Sequence, residues 1–408
     1  MFRPYDPARD NLACRRIWRE CGWVEPEKEE LVDLYANCCR ARVAELQGEA
    51  ECLVLTADGT MRYLDEELPI SCVTGVTTSR IARKQGIAGR LLARAVAEDA
   101  AAGALVSGLF MFEQGFYNRL GYGSGPYEFR MSFDPAHLIL DRKPRVPRRL
   151  SADDWKDIHA SLLARARGHG ALNLLESAIT RAELQADKDG FGLGYRDEDN
   201  RELTHHFWCS CDNVEGGPYR IKWMSFRTGD QFLELMAVIK TLADQVRLVT
   251  TNEPAGIQLQ DLIREPMRHR GITEGSEFAS KMEALADYQA RICDLPGCLS
   301  RTHLDAAPIR FNLVLRDPIV DLLAPETPWR GVGGHYVVQL GQDSFAELGN
   351  DASFPELNSS AGAFTRLWLG VRPATGLAIT DDLSGPDELL RQLDRTLRVP
   401  PPRADWDF

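Results

Sequence analysis

The residues best suited to chemistry lie between Cys72 and Gly123. An apolar run, a basic glycine-containing turn, a helix, a second apolar run and an aromatic-glycine turn follow one another there. The turn Arg83-Lys84-Gln85-Gly86-Ile87-Ala88-Gly89 precedes Arg90 to Ala101, a Leu- and Ala-rich stretch spaced for a helix with one buried face. Small residues at such a junction leave the N–H groups of the helix start free to meet an anion, and Arg83, Lys84 and Arg90 add positive charge. A pyrophosphate fits that description. The bland alternative is an ordinary helix start with basic residues facing water. A dinucleotide-binding loop is disfavoured, because its signature glycines are missing.

Several elements must hold these residues in place. Val73 and Val76 belong to a strand entering the turn, and Ala104 to Phe112 form a second buried strand leaving the helix. Upstream, Phe2 to Asp6 is extended and Asp10 to Trp18 is helical. Pro26 followed by Glu27, Glu29 and Glu30 opens another helix, whose apolar positions include Leu31, Leu34, Tyr35 and Cys38. Glu51 to Leu55 is expected as a short strand, Asp58-Gly59 as a tight turn and Met61 to Leu68 as its partner. Glu128 to Phe133 is expected to close the first domain.

Arg-x-x-Gly-x-Ala at Arg83, Gly86 and Ala88, after a Val-rich strand, resembles the acetyl-coenzyme A loop of GNAT acyltransferases. The segment Phe116-Tyr117-Asn118-Arg119-Leu120-Gly121-Tyr122-Gly123 resembles the one those enzymes place beside the thioester. With the chain length, the C-terminal half and the ending Trp406-Asp407-Phe408, the whole is similar to the multidomain enhanced intracellular survival (Eis) family. That resemblance implies an α/β (α+β) chain of two tandem GNAT-like domains followed by a sterol-carrier-type domain. It implies acetyl-CoA as cosubstrate, with backbone near Val76 and Thr78 orienting the acyl arm and Arg83, Lys84, Gly86, Ile87, Ala88 and Gly89 holding the pyrophosphate. Tyr122 is then the general acid, with Tyr117 its local rival, and the Phe408 terminal carboxylate the general base. Trp23 falls where the family builds its acceptor-pocket wall, a packing role being equally open, and Glu25 and Glu29 are candidate acceptor contacts. Arg80 stands where the family commonly carries proline. Transfer goes directly to a primary amine of an aminoglycoside, a polyamine or a lysine side chain, and the implied assembly is a homo-hexamer. Competing functions are transfer of a longer acyl chain and a non-catalytic lipid-binding scaffold.

Length supports more than one domain: 408 residues exceed what one core usually serves. The expected division is 1–135 catalytic, 136–150 a proline-bearing basic linker, 151–285 a second GNAT-like domain, and 286–408 the sterol-carrier-type domain with a stiff tail. In the second domain Ser151 to Asp154 read as a helix cap, Gln231 to Leu242 as a helix, and Gly190–Tyr195, Leu203–Cys211 and Tyr219–Ser225 as a meander. In the third, Ile309–Leu315, Tyr336–Leu340 and Ala363–Leu369 read as strands, with short helices near Asp317–Leu323 and Pro386–Leu397. Ten cysteines without a regular framework, and no apolar leader, point to a cytoplasmic protein with reduced thiols. His205, His206, Cys209 and Cys211 cluster, yet their alternation around Phe207 and Trp208 suits a strand better than a metal site, so no metal is expected. A net charge of -12 opposes nucleic-acid binding and agrees with a small cationic amine or a lysine-containing peptide; no apolar run is long enough for a membrane.

Overall fold

The computed structural model describes residues 1–408 apart from 112, 188, 200, 212 and 267–273. The chain divides into two compact units: Met1–Pro126 with Gly168–Glu176 and Ala286–Phe408, and Tyr127–Arg167 with Ser177–Leu285.

The first unit opens with β1 (Phe2–Pro4) and α1 (Pro7–Cys21). Asp6 starts the helix by accepting from the Ala8 N–H, Pro7 supplies a preset φ, and Gly22 ends it at φ +74°. Its buried face is Asp10, Cys14, Ile17 and Trp18, the i, i+4, i+7, i+8 stripe of an amphipathic helix. Then follow α2 (Glu30–Cys38), β2 (Arg40–Leu46), β3 (Glu49–Tyr63), β4 (Glu66–Thr78), α3 (Ile87–Ala101), β5 (Val106–Phe110), α4 (Gln114–Asn118) and β6 (Gly123–Ser124). The sheet order is β1-β2-β3-β4-β5, then the distant strand Tyr288–Ile292, then β6, with Leu172–Leu174 added to β3. Against one face pack Leu91, Leu92, Ala95 and Val96 of α3, together with Val54 and Val73. Against the other, Cys14 and Trp18 of α1 and Val32 and Ala36 of α2 meet Leu53 and Leu55.

The hairpin expected at Asp58-Gly59 is not there. Strand β3 runs through both residues, and the chain reverses at Leu64 and Asp65, Leu64 lying at φ +53°. Gly59 is required by proximity instead of by a turn, since a Cβ there would sit 2.6 Å from the Asn173 carbonyl and 2.8 Å from Cys72 Sγ. Gly59→Val should therefore cost about 1–3 kcal/mol by overpacking, seen in urea titration as a lower midpoint with unchanged slope. An unchanged midpoint would show that the adjoining strand yields freely.

Residues 286–408 also build a five-stranded sheet, ordered Phe345–Leu348, Gly334–Leu340, Ile309–Arg316, Glu356–Ser360, Leu383–Ser384. The run at Ala363–Leu369, expected as a strand, is a helix, Ala361–Trp368. All of its residues except Arg366 are buried, so its hydrophobicity lacks a readable period, and the Ser360 hydroxyl accepting from the Ala363 N–H decides for helix.

The second unit carries a seven-stranded sheet ordered Lys281–Leu285, Glu128–Phe133, Val249–Asn252, Tyr219–Ser225, Leu203–Cys211, Phe191–Arg196, Arg148–Leu150. Glu128–Phe133 thus belongs to this sheet and closes nothing in the first unit, its neighbours being Val249–Asn252 and Lys281–Leu285. The expected meander and its helices are present: Ser151 and Asp154 form a reciprocal cap before Trp155–Leu163, and Thr228 caps Gly229–Thr241. His205 and His206 alternate along the strand, one reaching Glu234 at 3.1 Å and the other Ser161 at 3.1 Å.

Candidate active site

A gap in the first sheet is the feature from which the site grows. Strand β4 pairs along its length with β3, except that Thr74 is an extra residue between Val73 and Gly75. Such a bulge bends the strand. On its other side β4 pairs with β5 only through Ile70–Cys72 against Val106–Gly108. Beyond Cys72 the edge from Val73 to Thr78 has no strand beside it among the described residues, while β5 continues to Phe110 against Tyr288–Ile292. Val76 and Thr78 lie on that open edge, whose backbone groups can receive an extended arm as an added strand.

The basic turn follows directly. Arg80–Ala82 make one 3-10 turn, anchored by Ala82 in the core and by the Arg80 N–H donating to Glu20 at 2.7 Å. Lys84 and Gly86 are left-handed, at φ +61° and +71°. Helix α3 starts at Ile87, earlier than its Leu-rich run suggests, with Gly86 as cap and no side chain on its first N–H groups. A Cβ on Gly86 would meet nothing within 4 Å, so the dihedral is the reason for glycine there. Ile87 and Gly89 face inward and Ala88 is half-buried. Arg83 and Lys84 are exposed and pair with no carboxylate among the described residues; the Arg90 guanidinium lies 6.0 Å over the Phe2 ring. Uncapped N–H groups at the positive end of a helix, beside unneutralised cations, fit the diphosphate of a coenzyme A thioester.

The aromatic turn is held from below. After α4, the N–H groups of Leu120 and Tyr122 both donate to the Tyr117 carbonyl, and Gly121 is left-handed at φ +79°. Tyr122 is 2% exposed, with its hydroxyl 2.7 Å from Ser107 Oγ. Burial pushes its pKa far up, against the opposing pull of Ser107 and Arg291. Ser107 lies in the stretch where β4 and β5 still pair, so the Tyr122 hydroxyl sits short of the gap. The Tyr117 hydroxyl has no hydrogen-bond partner among the described residues, and burial raises it to about 12.

Arg291, Asp317 and Gly362, which carry no motif in the sequence, grip this turn. Arg291 is fully buried; it donates to the Leu120 carbonyl and to Asp317 at 2.6 Å, and its guanidinium stands 6.0 Å over the Tyr122 ring. Asp317 also accepts from the Val332 N–H at 2.9 Å. A side chain at Gly121 would strike both members of the pair, and one at Gly362 would come within 2.8 Å of the Tyr122 carbonyl. The only sequence signal was an arginine between Ala290 and Ile292, in a segment otherwise patterned as a buried strand.

The tail docks. The Arg403 N–H donates to His169 and the Ala404 carbonyl accepts from Leu172, while Ala404 and Trp406 are each 2% exposed. Phe408 then meets Phe110, the last residue of β5, edge to face at 5.4 Å. Strand alternation puts Phe110 and Ser107 on opposite faces, so the terminal residue and the Tyr122 hydroxyl approach the sheet from different sides. Trp23 is 42% exposed and stands edge-on to Trp18 at 5.5 Å. Just before it, Cys21 Sγ lies 3.6 Å from the Thr78 carbonyl, which brings the end of α1 beside the mouth of the gap. Glu25 is exposed, whereas Glu29 is held by Arg19 at 2.5 Å.

Comparison with known proteins agrees with this geometry. Residues 9–125 match the acetyltransferase (GNAT) domain family. No curated protein matches the chain. The fold is similar over the whole chain to three solved structures. A GCN5-related N-acetyltransferase from Anabaena variabilis ATCC 29413 has a TM-score of 0.81 at 14% identity, with 100% of both chains covered. A conserved protein of unknown function from Enterococcus faecalis V583, a probable N-acyltransferase, has 0.79 at 16%, covering 100% of this chain and 99% of that one. Eis1 from Mycobacterium abscessus has 0.77 at 16%, with 100% of both covered. At such identities the likeness is one of fold. The match gives the chain a GNAT acetyltransferase domain, the domain of an enzyme, over residues 9–125. No helix among the described residues is long and apolar enough to cross a membrane.

Proposed function

We propose that the protein transfers acetyl from acetyl-CoA directly to a primary amine of a cationic acceptor, an aminoglycoside, a polyamine or a lysine side chain, as an Eis-like enzyme. The observation that carries this reading is the unpaired edge of β4 from Val73 to Thr78, opening next to the uncapped start of α3 and the unneutralised Arg83 and Lys84. Bound there, the coenzyme supplies an activated thioester. The backbone at Val76 and Thr78 orients its acyl arm, and Gly86, Ile87, Ala88 and Gly89 offer N–H groups to the diphosphate. The proton for the departing sulfur comes from the aromatic turn. The Tyr117 hydroxyl, without a hydrogen-bond partner among the described residues, favours Tyr117 as donor, with Tyr122, bonded to Ser107, holding the turn.

The amine arrives protonated and must lose a proton before attack. The terminal carboxylate of Phe408, carried to the end of β5 by the docked tail, is the proposed base. Trp23 and Glu25 receive the acceptor, and Glu29 contributes less because Arg19 offsets its charge. The excess of acidic residues draws a multiply charged amine by long-range attraction. The five-stranded C-terminal sheet is read as the sterol-carrier-type domain, and a homo-hexamer as the assembly.

The test follows thiol release from acetyl-CoA with an aminoglycoside panel, polyamines and a lysine peptide, comparing the chain ending at Phe408 with one extended by a few residues. Amine-dependent release that the extension abolishes is the expected result. Unchanged release in the extended chain overturns the terminal base, and no release with any amine overturns the acetyltransferase reading.

A further inference from the structure

All ten cysteines are free, and seven are buried. Cys38 and Cys39 stand apart: they are adjacent in sequence, both half-buried, and their sulfurs lie 4.0 Å from one another. Local structure puts them there. Cys38 is the last residue of α2 and its thiol donates to the Tyr35 carbonyl at 3.6 Å, while Cys39 leaves the helix in extended conformation, at φ -92° and ψ 163°. The Cys39 sulfur then rests 3.6 Å from Thr74 Oγ1, on the residue that makes the bulge in β4. The proposed reaction uses neither thiol.

The geometry selects what the pair can hold. Neighbouring Cα atoms across a trans peptide are about 3.8 Å apart, shorter than the roughly 4.4–6.8 Å spanned by relaxed disulfides, so direct S–S closure is strained. A bridging atom lengthens the link and removes that strain. Zinc needs about four protein ligands, and among the described residues no three His, Cys, Asp or Glu side chains converge to hold a metal. A trivalent arsenic centre needs two thiolates and brings its own third substituent, and soft sulfur ligands favour it.

We propose that Cys38 and Cys39 form a two-thiol site for trivalent arsenicals, and that its occupation stops acetyl transfer through the contact of Cys39 with the bulge at Thr74. The chemistry balances without an oxidant: two S–H bonds and the arsenic–oxygen bonds of R–As=O break, two S–As bonds form, and the oxygen leaves with both protons as water. The binding stands alone; the inhibition rests on the proposed function.

The experiment treats the full chain with phenylarsine oxide, counts arsenic by intact mass and remaining thiols by alkylation, and measures thiol release from acetyl-CoA in parallel. The expected result is one arsenic per chain with two thiols protected, loss of transfer, and reversal by a dithiol but not by a monothiol. Cys38→Ser and Cys39→Ser should each lose the dithiol-reversible adduct and keep transfer in the presence of the arsenical. An adduct that persists in the double variant, or no adduct at all, overturns the site. An adduct on this pair that leaves transfer unchanged overturns the coupling to Thr74. A normal adduct in a protein that acetylates no amine overturns the acetyltransferase reading and leaves the site standing.

Discussion

Tyr117→Phe lowers kcat by about 10²–10⁴-fold with little change in stability, the range for loss of a placed proton donor. The expectation rests on where two hydroxyls of one turn stand. Tyr122 is bonded to Ser107, inside the paired stretch of β4 and β5, whereas the Tyr117 hydroxyl has no hydrogen-bond partner among the described residues and a pKa of about 12 keeps it protonated through the neutral range. Tyr122→Phe should behave differently. It strands the buried Ser107 hydroxyl, at about 1–3 kcal/mol of folding stability, and disturbs transfer through the shape of the turn. Steady-state kinetics and urea unfolding of both variants separate the roles. If Tyr122→Phe removes turnover at full stability and Tyr117→Phe is silent, the donor is Tyr122 and the open hydroxyl of Tyr117 is incidental.

Arg291→Met destabilises the protein by about 3–5 kcal/mol, because it leaves the Asp317 carboxylate buried without its counter-charge. The pair is 0% and 1% exposed, so neither group can turn to water. The same change removes the donor to the Leu120 carbonyl, so kcat should fall as well while KM for acetyl-CoA, whose proposed site is the basic turn, holds. Replacing both partners, Arg291→Met with Asp317→Leu, should recover much of the stability, since well-packed apolar pairs often equal a buried ion pair. Turnover should not recover with it. Equal rescue of both would mean that the pair serves folding alone. Chemical denaturation and initial rates on the single and the double variant decide the matter.

What the sequence disclosed followed from local signals. Gly86, with small neighbours and cations around it, reads as a helix start because the residue types themselves create the left-handed entry and the uncapped N–H groups. Ser151 with Asp154, and the Phe232, Leu235, Met236, Ile239 stripe, were equally readable for local reasons. The failures share a cause in distant partners. Asp58-Gly59 has turn chemistry, but the glycine answers to Asn173, far along the chain. Glu128–Phe133 has the right pattern for a strand, and only its pairing with Val249–Asn252 and Lys281–Leu285 assigns its sheet. Ser107 and Arg291 carry no motif, so their places beside Tyr122 appear only once the chain is folded.

The insertion of Tyr288–Ile292 between β5 and β6 bears on how the protein is made. Neither strand pairs with the other; both wait for a segment about 160 residues downstream. At about 5–20 residues per second, a ribosome needs roughly 8–33 s to deliver it after Pro126 has been added. Throughout that interval the growing polypeptide displays the apolar edge of β5, with Val106 and Leu109 on a strand lacking its neighbour. Such an edge invites pairing with other chains. A fragment cut at residue 125, where the acetyltransferase match ends, would hold that exposed state permanently, which makes the end of the match a poor place to truncate the gene.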